Sequence, residues 1–105
     1  MNATMAEPLE TVELAQRFSE LAQQWRRETA AYSVVQKKVL HPAYQRIIGF
    51  GPAVIPLILR ELQRQPGHWF WALHALTGAD PVPAGSTFPE AVDACLKWGR
   101  EHGHA

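Results

Sequence analysis

The sequence predicts an all-α protein, a compact bundle of five to six helices forming one domain over residues 1–105. Three observations carry that expectation. Apolar residues in the first and last thirds recur with the 3.6-residue period of a helix face. Three Ser/Thr-x-x-Glu/Gln spacings, Thr4–Glu7, Ser33–Gln36 and Thr87–Glu90, match the capping box that opens helices. No stretch alternates apolar and polar residues with the β-branched enrichment of a strand.

The first helix is expected from about Leu9 to about Ala30, after the Thr4–Glu7 cap and with Pro8 in its opening turn, where a missing N–H costs nothing. Leu14, Phe18, Leu21, Ala22 and Trp25 form its inward stripe. A break near Ser33 precedes a short helix from Val34 to Leu40, which must stop before Pro42 because a residue ahead of proline is pushed out of the helical region. His41 is then a junction residue. Pro42 opens a helix from Ala43 to about Phe50 that turns Tyr44, Ile47 and Ile48 inward and ends at Gly49 and Gly51.

Pro52 begins the next element, in which Val54, Ile55, Leu57, Ile58, Leu59 and Leu62 leave only the polar strip Arg60, Glu61, Gln63 and Arg64. Such an apolar helix is expected to be central, and Pro56 is tolerated near its start, where few backbone N–H groups have an intrahelical carbonyl to lose. Gln65, Pro66 and Gly67 form a turn. His68 to Thr77 follows as a helix with almost no polar face, expected to be covered on more than one side, and Gly78 ends it. The stretch from Ala79 to Gly85 reads as an extended loop. The Thr87–Glu90 cap then starts a last amphipathic helix with Phe88, Val92, Cys95, Leu96 and Gly99 inward, ending around His102.

Composition bounds the function. The chain has 47% apolar and 19% charged residues, the range of a self-folding globule. Its ten basic and ten acidic side chains cancel, so no overall field draws it to nucleic acid or membrane. The charge is uneven, however: −3 from Met1 to Gln24, +5 from Trp25 to Arg64 and −2 from Gln65 to Ala105. The single cysteine, Cys95, gives no disulfide framework and fits a reducing compartment. With no apolar run near the roughly 18 residues a bilayer requires and no export signal at the start, a cytoplasmic protein with no membrane partner is expected.

The run Ile48-Gly49-Phe50-Gly51-Pro52-Ala53-Val54-Ile55-Pro56-Leu57-Ile58-Leu59-Arg60-Glu61-Leu62, followed by Trp69 to Leu76 and Gly78, resembles one HEAT-type helical repeat. In place of the usual arginine and alanine pattern of the second helix stand Trp69, Phe70 and Trp71, and the chain holds no second copy. Arrays of such units need about three stacked repeats, so the resemblance implies a single central HEAT-like hairpin, Pro52 to Gly78, of a kind used in scaffolding and protein binding. It brings no catalytic residue with it. The chain as a whole is also similar to the small proteins of bacterial accessory operons.

Residue patterns that carry chemistry give way to packing. His68 and His74 are six apart, not the three or four that would let a helix present both to one metal, and His102 and His104 belong to the tail. Neither metal nor cofactor is expected. Cys95 lies on an apolar stripe without an adjacent base. Glu90 and Asp93 suit the positive end of a helix dipole. Only His41 or His74, if lodged in a pocket, would support an enzymatic reading.

Two sets of residues remain as candidate surfaces. The aromatics Trp25, Trp69, Phe70 and Trp71 are candidates for partner binding, because three adjacent large rings on one helix cannot all point inward. The cations Arg26, Arg27, Lys37, Lys38 and Arg46, interleaved with Trp25, Tyr32 and Tyr44, are candidates for nucleic-acid phosphates or an acidic protein, and the break near Ser33 between two helices faintly suits a helix-turn-helix. The expected function is a non-enzymatic protein-protein interaction module, an adaptor or antitoxin-like component that binds another protein or itself as a homodimer. The alternative is a small DNA- or RNA-binding adaptor using the basic segment.

Overall fold

A computed structural model describes the backbone of residues 2–104 and the side chains of residues 11–104. The protein is all-helical. Among the described residues there are six α-helices, α1 (Asn2–Thr29), α2 (Val35–Val39), α3 (Pro42–Gly49), α4 (Ile55–Arg64), α5 (Phe70–Thr77) and α6 (Phe88–Glu101), with a 3-10 turn at Pro52–Val54. No strand occurs among the described residues. The helices pack as two compact units, residues 1–49 and residues 50–105.

In the first unit, α1 turns Phe18, Leu21, Ala22 and Trp25 into the core, as the apolar period requires, and Leu14 is half-buried. Opposite them α3 buries Ala43, Tyr44 and Ile47. The Trp25 and Tyr44 rings meet at 5.2 Å with a 49° tilt. Thr29 is buried as well, its hydroxyl satisfied by donating to the Trp25 carbonyl at 2.6 Å. The helix begins at Asn2, ahead of the expected start near Leu9; the side chains of the Thr4–Glu7 spacing lie outside the described residues.

The second expected capping box does not form. Val34, not Ser33, is the N-cap of α2, with no side-chain cap bond, so Ser33 stands one residue too early to reach the orphaned amides. What caps α3 is His41. Its Nδ1 accepts the Ala43 N–H at 3.0 Å, while its carbonyl accepts from Gln45 N–H. With Nδ1 an acceptor, Nε2 carries the proton and donates to Glu28 Oε1 at 2.7 Å.

In the second unit, Gly51 adopts φ 82°, a left-handed backbone that favours glycine, and leads into the 3-10 turn. The α-helix proper begins at Ile55 rather than Pro52, which places Pro56 in its first turn, where proline fits. Val54, Ile55, Ile58, Leu59 and Leu62 are buried. Glu61 departs from the expected polar strip: it is buried, and its carboxylate accepts from Arg64 Nη2 at 2.6 Å. An i, i+3 partner with an exposed guanidinium lets a carboxylate lie on the inner face.

Helix α5 starts at Phe70, two residues later than expected, and ends at Gly78 with φ 72°. It is covered on one side only, through Ala72 and Leu73, while Trp71, His74 and Ala75 face solvent. The Thr87–Glu90 capping box opens α6 as expected, with both reciprocal bonds present. Ala91, Val92, Cys95 and Gly99 form its buried face.

Candidate partner-binding surfaces

Helix α2 has five residues and buries none of them. A helix this short turns too few side chains to one side to build a core face, yet the segment is apolar: Tyr32, Val34, Val35 and Leu40 are all exposed, Leu40 to 70%. The segment is held in place by polar bonds rather than by its own burial. The Trp25 indole N–H donates to the Lys38 carbonyl at 2.7 Å, and Gln45 Nε2 donates to the Val39 carbonyl at 2.7 Å. With its backbone tied to α1 and α3, its side chains are free to present a surface.

That surface is concave. An open cleft of about 540 Å³ runs along residues 31–42, lined by Tyr32, Val34, Lys37, Leu40 and His41 among others. Lys37 supplies the charge. Both ring nitrogens of His41 are bonded as described, and the exposed His74 places Nδ1 3.1 Å from the Ala79 carbonyl oxygen.

The cations of the basic segment share a structural logic. Arg26 and Arg27 lie in the last turn of α1, Lys37 and Lys38 in the last turn of α2, and Arg46 in the last turn of α3. Each position complements the partial negative charge of a helix C-terminus. Arg27, Lys37 and Arg46 are exposed, Arg26 and Lys38 half-buried, and Lys37 is the one that lines the cleft.

The four aromatic candidates separate. Trp25 and Trp69 are buried in the cores of their respective units, and Phe70 is half-buried against Phe88, with ring centroids 5.6 Å apart edge to face. Trp71 is the exposed member, at 50%, its ring 5.5 Å from that of His74. The sequence argument that one ring must face outward therefore selects Trp71. What it missed is the exposure of Val34, Val35 and Leu40. The signal was there, in an apolar run confined between the break at Ser33 and Pro42.

Among the described residues, no group of three His, Cys, Asp or Glu side chains is arranged to hold a metal ion, and no helix is long and apolar enough to cross a membrane. Cys95 is buried, and that burial, with the charge of Asp80 second, pushes its thiol up to about 11. No protein-family model matches the chain, and comparison with curated proteins and with solved structures gave no significant match.

Proposed function

We propose that this chain is a non-enzymatic helical module that docks another protein through the cleft at residues 31–42. The observation that carries the reading is the exposure of Tyr32, Val34, Val35 and Leu40 on a segment fixed by hydrogen bonds to its neighbours. Tyr32, Val34 and Leu40 line the cleft, with Val35 outside it, and apolar surface gathered in a concavity and edged by charge is the anatomy of an interface. Lys37 in the lining and the cations ending the flanking helices favour a partner segment that is apolar and acidic. Trp71 is a second anchor of the type enriched in interfaces. The finer reading is an adaptor or antitoxin-like component of a bacterial accessory operon, acting in the cytoplasm, with the HEAT-like hairpin from Pro52 to Gly78 as its scaffold.

Co-purification of the native protein, compared with a Leu40→Asp variant and followed by light scattering, tests this. A stoichiometric partner or a homodimer that is lost in Leu40→Asp, with the helical circular-dichroism signal kept, is the expected result. A lone monomer in both removes the reading. The alternative, nucleic-acid binding by Arg26, Arg27, Lys37, Lys38 and Arg46, is favoured by the exposure of Arg27, Lys37 and Arg46. Its signature is duplex DNA binding that weakens steeply from low to moderate salt and disappears in Lys37→Glu/Lys38→Glu.

A further inference from the structure

Helices α4 and α6 approach closely where Gly99 faces Leu59: a Cβ at position 99 would overlap Leu59 Cδ1. The next residue on each helix is an arginine. The contact therefore brings Arg60 and Arg100 to the two sides of one cleft of about 400 Å³, together with Gln63 and His104, over apolar walls that include Leu59 and Leu96. No carboxylate lines it. Neither guanidinium is ion-paired among the described residues, whereas Arg64, one turn further along α4, is paired with Glu61. His104 is held over the cleft by stacking on Trp98, with ring centroids 5.3 Å apart and 17° between planes, and its backbone N–H donates to the Gly99 carbonyl at 2.8 Å.

Two like charges placed together without a counter-charge repel, and an anion between them converts that repulsion into attraction. Guanidinium groups suit the oxygens of phosphate and carboxylate, which they can meet with two parallel N–H bonds. The cleft volume falls in the range of about 300–1,000 Å³ typical of small-molecule sites, which combine apolar walls with a few convergent polar groups.

We propose that the cleft between α4 and α6 is a binding site for a small organic anion, a phosphate or carboxylate head carried on an apolar body. The head lies between Arg60 and Arg100, with Gln63 and His104 as further donors. The body rests on Leu59 and Leu96. This site is separate from the protein-docking cleft and stands whether or not that reading holds.

The test is an NMR titration of the full chain with phenyl phosphate, benzoate, inorganic phosphate and phenol. Phenyl phosphate or benzoate is expected to shift the Arg60, Arg100 and His104 signals saturably, with phenol at least tenfold weaker, and the tighter of the two anions identifies the head group. Arg60→Met and Arg100→Met should each weaken binding about tenfold or more, since hydrogen bonds to charged groups are the strong ones. Leu96→Ala should weaken phenyl phosphate more than inorganic phosphate. Phenol binding as tightly as the anions, or a folded Arg60→Met/Arg100→Met double variant with unchanged affinity, overturns the assignment. The comparison of phenyl phosphate with phenol needs no substitution and so is independent of how the variants fold.

Discussion

The indole N–H of Trp25 donates to the carbonyl of Lys38 at 2.7 Å, tying the buried face of α1 to the last turn of α2. Since α2 buries none of its residues, this bond does work that apolar packing does elsewhere. Trp25→Phe keeps an aromatic ring against Tyr44 but removes one of two hydrogen bonds to the Lys38 carbonyl, which still accepts the His41 N–H at 3.2 Å. A loss of about 0.5–1.5 kcal/mol is expected in urea unfolding. Hydrogen exchange should show the amides of residues 37–40 losing protection, and binding at the 31–42 cleft should weaken with them.

His41 joins α1 and α3 through one imidazole, accepting from Ala43 N–H and donating to Glu28. His41→Ala removes both bonds and should cost about 1–2 kcal/mol, the scale of a lost N-cap. His41→Asn restores a capping oxygen for α3 and should recover roughly half of that. Equal destabilisation by the two variants in thermal unfolding would show that the cap contributes nothing.

Gly99 is required by space rather than by backbone conformation. Gly99→Val drives a branched side chain into Leu59, which is itself buried, and should cost about 1–3 kcal/mol by overpacking. Leu59→Ala alone is destabilising because it opens a cavity. The two together should be less destabilising than the sum of the single effects, a coupling that a double-mutant cycle in denaturant measures.

Cys95 gives a pH dependence of known sign. Its folded thiol titrates at about 11, above the ordinary value of 9.0, so between these values the native state holds a proton that the unfolded chain releases. The contribution is fully present below pH 9.0 and is lost as pH rises toward about 11. Cys95→Ser or Cys95→Ala should flatten this alkaline fall in the melting temperature. Alkylation of the native thiol by iodoacetamide at neutral pH should be slow and should become fast on unfolding.

At the start of α6 the sign is opposite. Hydrogen bonds from Thr87, first from its backbone N–H and then from its side chain, hold the Glu90 carboxyl below its usual range. The stabilisation is present above the unfolded carboxylate value and disappears as pH falls through the folded one. Thr87→Ala should cost about 1 kcal/mol at neutral pH. It should also reduce the acid dependence of the melting temperature, since the reciprocal box is broken.

Much of the fold was legible because it depends on neighbours in sequence. The stripe Phe18, Leu21, Ala22 and Trp25, the stop at Pro42, the end of α5 at Gly78 and the Thr87–Glu90 box all follow from periodicity, proline sterics and glycine freedom. The Ser33–Gln36 spacing failed because a cap works only at one register, and the tie between Trp25 and Lys38, thirteen residues apart, helps set where α2 lies. The candidate surfaces were legible in part: adjacency alone required one of Trp69, Phe70 and Trp71 to face outward, but not which.

By itself, then, the sequence determined an all-helical chain, the inward faces of its long helices and the absence of a strand pattern, since each is a matter of local period and backbone sterics. Only the tertiary structure decided that Val34, Val35 and Leu40 face solvent, that Glu61 is buried beside Arg64, that His41 caps α3, and that Arg60 and Arg100 share a cleft. The burial of each residue and the shared cleft depend on which helix lies against which, and on a close approach such as that of Leu59 to Gly99. No spacing along the chain encodes them, even where the bond itself, Arg64 to Glu61 or Ala43 to His41, joins near neighbours in sequence.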